Sequence, residues 1–306
     1  MKILHISAEC YPAAKAGGLG DVAGALPKYL NHLGTSAGVI IPKYHTKWIL
    51  AQEFVPVYRG SVRLHQSFIP FGIEQLAGDT LGFPLFVADI PGMFDRPGVY
   101  SDPNGGWYSD ELERFLCFQQ AALQWAVSLP QRPQLLHCHD HHTGLVPFLA
   151  RHGLEYKALS ATPTVFTIHN AEYSGAFSWA NLHLLPFFDA EARGLLDWGG
   201  AINPLASAVR CAWRFTAVSP NYLSELMTYS NGLEGLFRQE RAKAVGILNG
   251  IDTQVWDPRA DAYIDTKLAG RVSPFKAANK QVLAHRFNVA KRDSYSAKMS
   301  GSISRR

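Results

Sequence analysis

Lys15-Ala16-Gly17-Gly18-Leu19 joins a full positive charge to two consecutive glycines. It lies between an apolar run (Ile3, Leu4, Ile6) and a segment in which Val22, Ala25, Leu26, Tyr29, Leu30 and Leu33 recur at helical spacing. Glycines let the main chain approach a ligand, and the helix start that follows offers unpaired N–H groups at the positive end of a dipole. The chemistry this points to is phosphate recognition. The residue order is not that of a Walker loop, and the glycine spacing is not that of a dinucleotide fingerprint. Three further places put polar residues just behind an apolar run. His137-Cys138-His139-Asp140-His141-His142-Thr143-Gly144 follows Leu135-Leu136, His169-Asn170 follows Val165-Phe166-Thr167-Ile168, and Asn249-Gly250 follows Val245-Gly246-Ile247-Leu248. Imidazole and carboxamide groups bond hydroxyls and other substrate oxygens.

The histidine cluster has more than one reading from its residues alone. Imidazoles and a carboxylate are common zinc ligands, but strand alternation puts His137 and His139 on one face and Cys138 on the other, and no second ligand pair of usual spacing occurs elsewhere. The residues alone favour a reading without metal over one with it. Either some of these histidines are satisfied core or helix-start residues with Asp140 as a cap, or Asp140 and His142 point into a sugar-sized cleft. Turn chemistry is the plainest reading of Asn249-Gly250.

The elements that must position these groups follow from periodicity. Short apolar runs at 39–41, 135–138, 165–168, 215–218 and 245–248 read as buried strands alternating with helical patterns. They predict an α/β fold, a doubly wound parallel sheet with helices on both faces. Between 55 and 90 the helices drop out, and runs at 61–64, 68–73 and 85–87 predict an antiparallel, β-rich insertion. A long helix is expected over 110–127, and Ser219-Pro220 should start another, with Ser219 capping and Pro220 in the first turn. In open parallel sheets ligands bind beyond the carboxyl ends of strands, where all four polar places fall.

With 306 residues, 47% of them hydrophobic and 18% charged, the chain can bury a large core, which excludes disorder as its main state. Much of the net charge of +4 comes from Lys291, Arg292, Lys298, Arg305 and Arg306, so no nucleic-acid partner is read from it. Residues 290–306, rich in Ser and base, predict a disordered tail. Cys10, Cys117, Cys138 and Cys211 are far apart and suit buried thiols in a reducing compartment better than a disulfide scaffold. The first residues are too short an apolar run for a signal peptide and no run reaches membrane-spanning length, so the expectation is a cytoplasmic protein with no membrane partner.

Five motifs in order, Lys15-Ala16-Gly17-Gly18-Leu19-Gly20-Asp21, Arg96-Pro97-Gly98-Val99-Tyr100, His139-Asp140-His141-His142-Thr143-Gly144-Leu145, Phe166-Thr167-Ile168-His169-Asn170 and Leu248-Asn249-Gly250-Ile251-Asp252, resemble the bacterial glycogen synthase and starch synthase family. The resemblance covers residues 1–289. It implies the Rossmann-like N-terminal lobe of a two-lobed GT-B glycosyltransferase, one domain over 1–289, with the C-terminal nucleotide-binding lobe absent from this sequence. The implied activity is retaining transfer of glucose from ADP-glucose to the nonreducing end of an α-1,4-glucan such as glycogen, without cofactor or metal.

On matching positions, the resemblance puts Lys15, Gly17 and Gly18 against the donor diphosphate, Asp21 near the nucleotide, and His169 beside the transferred glucose. His169, Asp140 and Lys15 form the implied catalytic set, Asn170 and Asn249 hold donor, and Tyr100 and His142 face the acceptor. Leaving ADP gains negative charge, which a fixed cation and N–H donors stabilise most in the transition state. Front-face retention needs no covalent nucleophile, so Asp140 is not given that role. His141 stands where many relatives have tryptophan, and Ala171-Glu172-Tyr173-Ser174-Gly175 replaces a commoner pattern. The alternatives are a noncatalytic glucan-binding fragment and another GT-B glucosyltransferase using UDP-glucose. A single lobe is expected to transfer little glucose by itself.

Overall fold

The computed structural model describes residues 1–289; the expected basic tail, 290–306, lies outside the described residues. The strands are β1 (Ile3–Ile6), β2 (Ala37–Pro42), β3 (Phe54–Leu64), β4 (Ser67–Leu76), β5 (Leu85–Asp89), β6 (Leu135–His139), β7 (Thr164–Ile168), β8 (Asp197–Trp198), β9 (Ala201–Ile202), β10 (Arg214–Ala217) and β11 (Ala244–Gly246). Apart from the small β8–β9 pair they form one sheet in the order β11-β10-β7-β6-β1-β2-β5-β4-β3. Every neighbouring pair from β11 to β5 is parallel. From β1 the chain builds outward through β2 and β5, then returns to β6 on the other side of β1. The crevice beyond the carboxyl ends of β1 and β6 is therefore the topological switch point, where open α/β sheets bind ligands.

The helices are α1 (Gly18–His32), α2 (Lys47–Leu50), α3 (Glu111–Ser128), α4 (Val146–His152), α5 (Pro204–Cys211), α6 (Pro220–Leu226), α7 (Glu234–Gln239) and α8 (Val272–Arg286). α1 begins at the second glycine of the loop and buries Ala23 and Ala25, while Leu33, expected on the apolar face, falls past its end and is exposed. Gly24 lets α1 press onto the main chain at Tyr11, where an added Cβ would lie 2.3 Å from the carbonyl oxygen. Pro27 removes the N–H that would bond the Ala23 carbonyl four residues earlier, and the buried Cys10 thiol donates to that carbonyl at 3.6 Å. In α3, Phe115, Leu116, Phe118 and Leu123 are core, and Arg114, fully buried, donates to the Val99 carbonyl at 2.7 Å. Ser219 caps α6 as expected, accepting from Tyr222 N–H at 2.9 Å.

Two expectations change. The insertion is only the β3–β4 hairpin, which turns at His65-Gln66 with His65 at φ 55° and extends the edge of the main sheet. Leu85-Phe86-Val87, expected in that antiparallel unit, belongs to β5, antiparallel to β4 but parallel to β2. A strand buried on both faces carries no alternation to reveal its direction. The run 245–248, expected as a buried strand, reaches only Gly246, and Val245, Ile247 and Leu248 are exposed because β11 is the sheet edge.

All four cysteines are buried and free. No helix among the described residues is long and apolar enough to cross a membrane. The chain forms two compact units, Met1–Gly250 and a second starting at Ile251, a finer division than the single domain expected over 1–289. The whole sheet lies in the first unit, and α8, in the second, has no buried residue.

Candidate active site

A cleft of about 960 Å³ opens at the carboxyl ends of β1, β6 and β7. Its lining includes eight of the ten site residues read from the sequence: Gly17, Gly18, Tyr100, Asp140, His142, His169, Asn170 and Asn249. Lys15 and Asp21 are not in the lining but are paired with each other, Lys15 Nζ donating to both Asp21 carboxylate oxygens at 2.8 and 2.7 Å.

Glu9, behind β1, organises the glycine loop. Its Oε2 accepts from the N–H groups of Ala16 at 2.6 Å and Gly17 at 2.9 Å, and its Oε1 accepts from the Tyr100 hydroxyl at 2.8 Å. Two main-chain donors of the loop are thus occupied by the chain's own carboxylate. The start of α1 at Gly18, which has no side-chain cap, remains open to an external anion. A Cβ on Gly17 or Gly18 would meet nothing within 4 Å, and Gly17 has an ordinary extended φ of −144°. These glycines keep space free rather than satisfy a left-handed turn. Burial, then the Glu9 charge, raises the Tyr100 phenol well above its usual range, so it stays a donor. Sequence reasoning assigned Glu9 no role because Tyr100 is 91 positions away.

Asp140 stands at the end of β6 with φ 55° and ψ 177°, a region that is nearly glycine-only and costs about 1–3 kcal/mol. Its N–H donates to the Thr167 carbonyl at 3.0 Å, and its Oδ1 accepts from the N–H groups of His169 at 2.7 Å and Asn170 at 3.3 Å. Asp140 does not cap the turn after it; it ties β6 to β7 and so fixes where His169 and Asn170 stand. Asn170 Oδ1 accepts from Glu172 N–H at 2.9 Å.

Tyr100 and His142 meet in one wall of the cleft, their rings stacked with centroids 4.6 Å apart. His142 Nε2 lies 3.0 Å from Glu111 Oε1, at the first residue of α3, and His141 Nε2 lies 3.7 Å from the same oxygen. Burial and the neighbouring His141 hold His142 down to about 3, so at neutral pH it is uncharged and donates to an ionised Glu111. Burial pushes the Glu111 carboxyl up, but the close imidazoles of His141 and His142, the latter hydrogen-bonded to it, outweigh it and hold it well below the usual range. Sequence reasoning missed Trp107 and met Tyr173 only within the departing segment 171–175; the two, 61% and 47% exposed, line the cleft with ring centroids 5.8 Å apart. Solitary aromatics in loops carry no periodic pattern that could have found them.

Two groups among the described residues have donor atoms within 4.8 Å of one another, His5/His137/His139 and Glu111/His141/His142. In the first, four ring nitrogens are committed to the protein, His5 Nδ1 to His139 Nε2 at 3.1 Å, His139 Nδ1 to His169 Nε2 at 3.0 Å, and His137 Nε2 to Thr167 Oγ1 at 2.7 Å, while His5 Nε2 is buried without a partner. In the second, His142 Nδ1 is buried without a partner, whereas a metal-bound imidazole ordinarily donates its other N–H. Neither arrangement is that of a built metal centre.

The family model described as the starch synthase catalytic domain matches residues 2–239. The chain belongs to that family. Two curated relatives, glycogen synthases of Flavobacterium johnsoniae and Halalkalibacterium halodurans, are 44% and 37% identical to it, over 94% and 95% of this chain and 60% of each relative. Among solved structures, the catalytic domain of starch synthase IV from Arabidopsis thaliana, bound to ADP and acarbose, is similar with a TM-score of 0.81 at 27% identity, covering 96% of this chain and 60% of that one. The doubly wound sheet is thus the Rossmann-like lobe of a GT-B starch synthase fold. The chain spans about 60% of the length of the relatives it matches.

Proposed function

We propose that this chain is the donor-facing lobe of a cytoplasmic, ADP-glucose-dependent glucosyltransferase that extends an α-1,4-glucan such as glycogen. The observation that carries the reading is the switch-point cleft, into which the uncapped start of α1 and the polar ends of β6 and β7 open together. The donor diphosphate lies at the start of α1 over Gly17 and Gly18. N–H donors there, with the charge of Lys15, stabilise the negative charge that grows on the leaving ADP. Before donor arrives, the Asp21 carboxylate holds Lys15 in place.

The transferred glucose lies by His169 and Asn170, which Asp140 positions through their backbone N–H groups. Asp140 is read as a brace for this strand end, and front-face departure and attack, the family's mechanism, asks no covalent nucleophile of it. On the acceptor side, the Tyr100 hydroxyl and His142 Nε2 are already bonded to Glu9 and Glu111 and their rings stack on each other, so together they form the surface of the wall there. The exposed faces of Trp107 and Tyr173 extend that surface for the apolar faces of glucose rings. Four free buried thiols suit the reducing cytoplasm.

The test compares the 306-residue chain with the same chain fused to a second lobe from a relative, each given ADP-glucose or UDP-glucose and glycogen. We expect the fusion to incorporate glucose from ADP-glucose, and the chain alone to bind glycogen but incorporate little, since one lobe cannot enclose the diphosphate. A fusion that uses UDP-glucose in preference, or robust turnover by the chain alone, would overturn the respective part of the reading.

A further inference from the structure

Three imidazoles run in line from the core to the cleft. His5 on β1 is fully buried, and its Nδ1 lies 3.1 Å from Nε2 of His139 on β6. Nδ1 of His139 lies 3.0 Å from Nε2 of His169, whose ring lines the cleft. The outer nitrogen of His5, Nε2, is buried with no partner.

An N···N hydrogen bond needs one N–H and one lone pair, and a neutral imidazole has one of each. Burial holds His5 down to about 3 and His139 well below its usual range, so both are neutral at pH 7. The two bonds then couple the rings. If His5 carries its proton on Nδ1, His139 accepts at Nε2 and carries its own on Nδ1, and His169 accepts at Nε2. Reversing either bond reverses both and leaves an N–H on the partnerless His5 Nε2. Among backbone groups a buried N–H without an acceptor is rarer than an under-satisfied carbonyl, and the same preference applied to these rings selects the first direction.

We infer that His5 and His139 are positioning residues that lock His169 as the Nδ1–H tautomer, so that it meets the ligand as a hydrogen-bond donor and takes an oxygen lone pair. For the sugar this rests on the function proposed above: the donor oxygen at His169 is an acceptor there, and a hydroxyl at that place directs its own proton elsewhere. A free imidazole would exchange its proton between both nitrogens and give no such selection.

The test is a long-range ¹H–¹⁵N correlation spectrum of the histidine-labelled 306-residue chain, without ligand, at pH 7.5. We expect His5, His139 and His169 each to show a protonated Nδ1 and an unprotonated Nε2. An Nε2–H tautomer at any of the three, or a doubly protonated ring, overturns the inference. His139→Asn retains an N–H aimed at His169 and should leave its signals in place, whereas His139→Leu should move them to values averaged between the two tautomers. A His169 that stays purely Nδ1–H in a folded His139→Leu variant also overturns it. The wild-type spectrum decides the matter even where a variant fails to fold. Since no ligand is present, this result is separate from any failure of donor binding.

Discussion

Glu9 is 3% exposed, yet its two oxygens receive the N–H groups of Ala16 and Gly17 and the hydroxyl of Tyr100. Glu9→Ala leaves these donors without their acceptor, and we predict a loss of about 1–3 kcal/mol in urea unfolding. Unchanged stability would show that the loop is held by other contacts. Lys15 behaves differently, because its pair with Asp21 is partly solvated, with side chains 19% and 35% exposed. Such pairs contribute up to about 1 kcal/mol, so Lys15→Ala should barely change stability. In the two-lobe fusion the same change should raise the barrier by a few kcal/mol, on the order of a lost oxyanion donor; wild-type turnover would remove Lys15 from the phosphate site.

Helix α1 carries two kinds of glycine, and they should respond in opposite ways. At Gly24 a Cβ meets the Tyr11 carbonyl oxygen at 2.3 Å, a main-chain atom that cannot swing aside. Gly24→Ala should destabilise by about 1–3 kcal/mol from overpacking, in spite of alanine's better helix propensity. At Gly18 the space is open, so Gly18→Ala should leave stability within about 0.5 kcal/mol of wild type. Its methyl group would stand at the proposed phosphate position, and ADP-glucose binding by calorimetry should weaken. If Gly18→Ala unfolds the protein while Gly24→Ala is silent, the assignment of α1 is wrong.

Across the whole molecule, stability should depend on acid through the buried rings. His5 and His142 are both held down to about 3, from an ordinary value of about 6.5. Between those values the unfolded chain takes up protons that the folded chain refuses, so stability falls as pH falls. Each such ring contributes a slope of about 1.4 kcal/mol per pH unit. Glu111 acts in a lower window: its carboxyl is depressed in the fold, so its stabilisation is complete above the ordinary carboxylate range and lost as pH falls toward the folded value. Urea unfolding from pH 8 to pH 5 should therefore steepen below about 6.5, and His5→Phe should reduce the slope by one ring's share. A flat profile would mean that these histidines titrate normally.

The sequence by itself determined the core strands of the main sheet, the glycine loop leading into α1, the Ser219 cap, the burial of the four cysteines and the family, because each is written in local spacing or in a short motif, while the short β8–β9 pair carried no such pattern. It also marked eight residues that line one cleft, since polar residues behind apolar strands fall at the carboxyl end of a parallel sheet. It did not reveal the direction of β5 or the exposure of β11, which depend on the strands beside them. Nor did it reveal the Glu9 clamp, the strained brace at Asp140 or the line from His5 to His169. Those contacts join residues 91, 30 and 134 positions apart, and only the lateral order and register of the sheet bring them within hydrogen-bonding distance. Local pattern fixes which face of a strand is apolar; the strand that becomes its neighbour, and hence the partner of each polar side chain, is settled by the packing of the whole sheet.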